Sequence, residues 1–154
     1  MADRNKLLKG YLKEAKLMQV ATVSNGKPWV CSVWYAHDGD LNLYFISRKS
    51  RRHSIEIKKN PNIAGAIVKP HTIGSGQKVC GLQFEGTARA CNWNELKTAR
   101  ELYLKKYSKA NVPPLPALRL ASVIATFYKI KPRSFVLFDE INFPNDPRQE
   151  IKLK

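Results

Sequence analysis

The sequence predicts a mostly β fold, an antiparallel barrel with inserted helices, and three observations carry that prediction. Short runs of alternating apolar residues recur along the chain, at intervals mostly too brief for the crossovers of a parallel sheet. The dipeptide Asn25-Gly26 separates two such runs and is the strongest short-range signal for a hairpin, because both turn positions need positive φ. Helical periodicity is confined to three segments. A length of 154 residues suits one domain, residues 1–154, with a core of its own.

The elements follow in order. Residues 3–17 place Leu7, Leu8, Tyr11, Leu12 and Ala15 at helical spacing, with Asp3 available as a cap. "MQVATVS" (18–24), "PWVCSVWYA" (28–36) and "LNLYFIS" (41–47) read as three consecutive strands of a meander, joined by Asn25-Gly26 and by the turn "HDGD". Ser50 is placed to cap a short helix that Asn60-Pro61 ends. "NIAGAIV" (62–68) is a fourth strand, and "KPHTIGSGQK" is a loop. "VCGLQFEGTARAC" (79–91) is a long fifth strand in which Gly81 and Gly86 mark bulges or a bend. In residues 92–107, Asn92 and Glu95 have capping-box spacing ahead of an apolar face. Proline-rich "NVPPLPA" breaks the chain, and "SVIATFYKIK" and "SFVLFDE" are strands split at Pro132-Arg133.

Net charge is +15, with both halves of the chain comparably basic, so the excess is no tail or arm. No run approaches the roughly 18 apolar residues of a membrane span, and the first residues carry no signal-peptide core. Cys31, Cys80 and Cys91 are odd in number and form no C-x-x-C, which points to reduced thiols in the cytoplasm. In strands they read as small core hydrophobes.

Chemical signatures are sparse. His37, His53 and His71 lack the paired spacing of a zinc motif, although one histidine could serve a haem. There is no G-x-S-x-G and no G-x-G-x-x-G. Trp29, Trp34, Tyr35, Tyr44 and Phe45 on a basic barrel suit nucleic-acid binding, but alternating strand positions favour barrel core for them.

"SRKSRRHS" (47–54) carries more. A strand delivers the chain to Ser47, and a helix begins with hydroxyls at Ser47 and Ser50 and guanidinium groups at Arg51 and Arg52. Free N–H groups at a helix start, with such side chains, make a phosphate cradle; the plainer reading is a solvated basic face. Lys58 and Lys59, at the far end, fit that plainer reading. The strand from Val30 to Trp34 offers a flat ring a backbone edge, and one phosphate on a flat ring describes FMN.

"VATVSNGKPWVCSVWYAHDGDLNLYFISRKSRRHSIEIKKNPNIAGAI" resembles the core of the pyridoxamine 5'-phosphate oxidase-like, FMN-binding split-barrel proteins. The likeness continues in "GLQFEGTARAC", "ELKTARELYLKKY", "FYKIKPRSFVLFDE" and "DPRQEIKL". It implies a six-stranded antiparallel split β-barrel, a homodimer with FMN at the interface, and a flavin-dependent oxidoreductase acting on a small substrate. Ser50, Arg51 and Arg52 fall on the family's phosphate-binding Ser-Arg-Lys, with arginine for lysine at the last position. Ser47 falls on a polar position facing the flavin. Cys31, Ser32, Val33 and Trp34 fall on the strand whose backbone meets the ring, with Cys31 replacing a family arginine. Phe138 and Arg148 match flavin-edge residues supplied by the partner, and Gln83 lies two residues from a flavin-contacting glutamine. Against the vitamin B6 site, Tyr103 matches, but Tyr107 and Asn111 replace its arginine and serine, and no lysine ends the second strand. Those departures point away from B6 oxidation. A haem- or deazaflavin-binding relative and a nucleic-acid-binding barrel are the alternatives.

Overall fold

In the computed structural model of the chain, residues 2–120 and 124–153 are described. They form α1 (Arg4–Glu14), β1 (Leu17–Ser24), β2 (Lys27–Trp34), β3 (Ala36–His37), β4 (Leu43–Arg48), α2 (Arg52–Lys59), β5 (Asn62–Val68), β6 (Cys80–Ala90), α3 (Trp93–Lys106), α4 (Leu115–Leu120), β7 (Ala125–Asp139) and β8 (Arg148–Lys152). The described strands make one antiparallel sheet in the order β2-β1-β5-β6-β7-β4-β3, with β8 added along β7. The sheet curls into a half-barrel. Two more strands are present than the six expected.

Local signals mostly carry through. Asp3 caps α1, its Oδ1 accepting from the Asn5 and Lys6 N–H groups. Asn25 and Gly26 adopt φ of 51° and 72°, which sets β1 against β2 with Ser24 opposite Lys27. Asn92 and Glu95 form a full capping box on α3. At Gly86 the β6–β7 register slips, and a Cβ there would collide with the Lys131 carbonyl.

Other expectations are corrected. The first helix stops at Glu14 because Ala15 turns extended and hands the chain to β1. The meander does not form: β4 pairs with β7 and β3, not β2, so β2 is left at the edge. The proline-rich segment contains α4. Its prolines precede that helix or fall in its first turn, where no N–H is required. The two last strands are one, because Pro132 stands opposite Gly86 where the β6–β7 register slips, a place in a sheet that accommodates proline. That strand begins at Ala125; the expected positions 122 and 123 lie outside the described residues.

The strand alternation builds two cores. Met18, Val20, Phe45, Leu82, Phe135 and Leu137 form the first with Leu8 and Leu12 of α1. Tyr44 and Phe127 form the second beneath Leu96, Ala99 and Tyr103 of α3. Asp139 is fully buried at the end of β7; it accepts from the Tyr11 hydroxyl at 2.6 Å and from both N–H groups of the turn at Ile141 and Asn142. The opposite face of β1, β2 and β5 is uncovered, with Leu17 41%, Val30 58%, Trp34 50% and Val68 48% exposed. No helix among the described residues is long and apolar enough to cross a membrane.

Glu95 anchors α3 to the sheet, meeting Arg89 twice at 2.7 Å and Lys129 at 3.3 Å. The Arg89 hydrogen bonds lead in drawing its carboxyl down to about 2. A carboxylate depressed on folding stabilises fully above its ordinary value near 4.5, and loses that effect as pH falls towards 2. Glu95→Gln should therefore lower unfolding stability at pH 7 by roughly 1–3 kcal/mol. In urea titrations its deficit against wild type should shrink below pH 4.5.

Candidate functional site

β4 ends in a turn that starts α2 beside the free edge of β2. The Arg51 N–H donates to the Arg48 carbonyl at 3.1 Å, and Arg51, with extended backbone, takes the cap position. Ser50 does not cap the helix, contrary to the sequence expectation: no side chain caps α2. The chain turns one residue later than the Ser50 signal implies, which leaves Ser50 exposed in the preceding turn. Arg48, Lys49, Ser50 and Arg51 are all exposed around this helix start. In its first turn, the Ser54 hydroxyl is buried without a hydrogen-bond partner. An uncapped helix start, an orphan hydroxyl and exposed cations together suit an anion.

Ser47 and His53 meet beneath this turn, with Ser47 Oγ 2.8 Å from His53 Nε2. Burial, reinforced by the charge of Arg51, holds the imidazole below its usual pKa, so His53 is neutral at pH 7.

Arg52 behaves differently from Arg51. Its Nε donates to Glu56 Oε1 at 2.8 Å, and its guanidinium carbon lies 4.3 Å from the centroid of the Trp29 ring. Glu56 is buried, and its other oxygen accepts from the Thr22 hydroxyl. Those two hydrogen bonds, Thr22 first and Arg52 second, hold the Glu56 carboxyl below its ordinary value. Thr22 and Trp29 face each other across β1 and β2. Arg52 thus ties α2 to the edge strand, a structural role beside the phosphate contact that the sequence led one to expect of it. Sequence reasoning missed Glu56 and Thr22 and placed Trp29 in the barrel core; the i,i+4 spacing of Arg52 and Glu56 was the one available signal.

β2 alternates as a strand must. Cys31 and Val33 pack on the first core, whereas Ser32 and Trp34 face outwards. Trp29 and Trp34, expected in the core, are 42% and 50% exposed. Trp34 packs edge-on against Tyr107 at 5.6 Å. The Tyr107 hydroxyl lies 2.7 Å from the Tyr35 carbonyl and 2.8 Å from that of Lys16. Because β2 pairs only with β1, its outer backbone edge has no strand partner among the described residues.

Gln83, Phe138 and Arg148 gather elsewhere. Phe138 stands opposite Gly81 on one side and Arg148 on the other, on the uncovered outer face. Gln83 lines a cavity of about 770 Å³ with Val136 and Arg148. Three strand spacings, roughly 14 Å, separate β6 from β2. One protomer therefore does not bring these three residues to Cys31–Trp34.

All three thiols are free, and burial pushes each upwards, Cys91 to about 12. None is a thiolate at neutral pH. Among the described residues, no three His, Cys, Asp or Glu side chains are grouped to hold a metal ion.

A family model of pyridoxamine 5'-phosphate oxidase matches residues 5–129. A UPF0306 protein of Pasteurella multocida is 27% identical over 99 residues, 64% of this chain and 65% of that protein, just short of two thirds of its length. Among solved structures, the heme binding protein from Mycobacterium smegmatis has a TM-score of 0.75 at 13% identity, covering 99% of this chain and 60% of that one. General Stress Protein 26 from Bacillus anthracis has a TM-score of 0.65 at 16% identity, covering 96% and 97%. These last two likenesses concern the fold.

The Thr22–Glu56–Arg52 tie predicts an asymmetry. Glu56→Ala leaves a buried hydroxyl unpartnered and should cost roughly 2–4 kcal/mol of stability. Arg52→Ala removes a half-exposed partner and should cost below about 1 kcal/mol. Urea unfolding of the two variants checks the order.

Proposed function

The chain belongs to the pyridoxamine 5'-phosphate oxidase family, and on that premise we propose that it is an FMN-binding, homodimeric oxidoreductase of a small substrate. The observation that carries the reading is the junction of α2 and β2. An uncapped helix start bearing Ser50 and Arg51 lies beside an edge strand, and Arg52 over Trp29 at 4.3 Å fastens the two together. A phosphate suits the first and the polar rim of a flat ring suits the second.

A bound flavin supplies the redox chemistry. The chain's own part is to hold and orient. Ser50, Arg51 and the first N–H groups of α2 would bind the phosphate, and the backbone of Cys31 to Trp34 would meet the ring. Gln83, Phe138 and Arg148 would serve the site of a second copy, docked through the uncovered face of Leu17, Val30, Trp34 and Val68. The Mycobacterium smegmatis neighbour is a heme binding protein, but a haem needs an axial ligand. His53, the histidine of this site, is buried and already bonded to Ser47. Vitamin B6 phosphate is poorly served too. Tyr103 is buried edge-on against Phe127, and the Tyr107 hydroxyl is spent on two carbonyls.

Comparison of FMN with riboflavin tests the phosphate half directly. Wild type should retain FMN through gel filtration, with flavin absorbance, and bind riboflavin at least about tenfold more weakly. Ser50→Ala combined with Arg51→Ala should erase that preference and leave riboflavin binding unchanged. Undiminished FMN affinity in the folded double variant, or a Soret band on adding hemin to a protein indifferent to FMN, would overturn the reading.

A further inference from the structure

A second cavity, of about 600 Å³, opens between α1, the turn after β3 and the C-terminal half of α3. We propose that it binds a small organic anion, a carboxylate, sulfonate or phosphate carried on an apolar body. It shares no residue with the junction of α2 and β2 and does not rest on the flavin reading.

The lining pairs an apolar floor with cationic walls. Ala36, Leu41 and Leu102 supply the floor; Lys9 and Lys13 come from α1, and Lys105 and Lys106 from α3. Four ammonium groups around one cleft repel each other. Among the described residues, none of the four takes part in an ion pair. The acid in the lining, Asp38, is already committed. Its carboxylate accepts from the Asp40 and Asn42 N–H groups at 3.0 and 2.9 Å, and from Asn42 Nδ2 and the Tyr44 hydroxyl at 2.8 Å each. Those donors are neutral and leave the Asp38 carboxylate its charge, so an incoming anion would meet four ammonium groups against one carboxylate, a lining that is positive on balance.

The cleft is also rigid. Lys106 Nζ donates to the carbonyls of Leu12 and Ala15 at 3.0 and 2.7 Å, and lies 3.9 Å from the Tyr35 ring centroid, which fixes one wall. Burial first, and Lys16 second, draw its pKa down to about 8. Leu41 adopts φ of 67°, a left-handed conformation that disfavours a branched side chain. The four bonds to Asp38 hold that turn in place, and strain maintained in this way is a mark of functional surfaces. His37, in the same lining, has Nδ1 3.1 Å from the Asp38 carbonyl, so Nδ1 carries the proton and Nε2 remains for another partner. A volume of this size matches small-molecule sites in general.

Calorimetric titration of the full chain with 2-naphthalenesulfonate and with uncharged 2-naphthol tests the site at low salt. The sulfonate should bind with Kd on the order of 0.1 mM and the naphthol at least about tenfold more weakly. Lys13→Glu with Lys105→Glu, both exposed positions, should weaken the sulfonate at least about tenfold. Lys78→Glu with Lys97→Glu changes net charge equally at exposed positions elsewhere and should stay within about threefold of wild type. Equal losses in the two double variants would reduce the effect to general attraction by a basic protein and overturn the proposal. So would equal affinity for the two naphthalenes, or no binding of the sulfonate.

Discussion

Hydrogen bonding in an open sheet must stop at some strand, and at one end of this sheet it stops at β2. β4, which follows β2 by way of the short β3, pairs instead with β7. Two consequences follow from that one choice of partner. β2 keeps a row of backbone groups without a strand neighbour, and the chain leaving β4 arrives beside that row just where α2 must begin. A solvent-exposed edge is ordinarily blunted by charge or proline. Here Pro28 and Lys27 stand only at its beginning, and Arg52 reaches across from α2 to stack on Trp29. The junction is thus a product of topology first and of side chains second.

The distribution of acids explains the basic character of the surface. Carboxylates are scarce in this chain, 12 against 27 Lys and Arg, and several of them are committed to the fold. Asp3 caps α1, Glu95 caps α3 and grips Arg89, Asp38 pins a turn, Glu56 joins α2 to β1, and Asp139 closes the end of β7. Each accepts from backbone, hydroxyl or guanidinium donors, and those held by Glu56 and by Asp139 from Tyr11 are buried. Cations have fewer such duties. They accumulate where helices and turns converge, at the start of α2 and between α1 and α3.

Much of this was legible locally. Asn25-Gly26 and the Asn92–Glu95 box were found because each depends on residues within a few positions of one another, and Gly86 was marked only because a glycine inside a strand is itself a local sign of irregularity. Strand order was not, since nothing within β4 says that it prefers β7 to β2. Pro132 misled for a related reason: a proline breaks a strand unless its partner strand is also irregular, and that partner lies over forty residues earlier. β8, "RQEIK", is too polar to stand out. At the site, the run from Ser47 to Arg52 was visible as basic and hydroxyl-bearing. The division of labour between Arg51 and Arg52 was not, because it is set by Thr22 and Trp29 on other strands. The same holds for Gln83, Phe138 and Arg148, whose distance from β2 is a matter of sheet order.

The bond between Tyr11 and Asp139 spans 128 residues of chain. It bears on how the protein comes into being as well as on how it stands. While the chain is being synthesised, α1 is made 128 residues before the carboxylate that its Tyr11 hydroxyl meets. Until then the apolar side of that helix, Leu8 and Leu12, has no complete surface to cover it. Contacts of such long range slow folding and prolong the exposure of sticky intermediates. α1 therefore cannot complete its docking until β7 has been made.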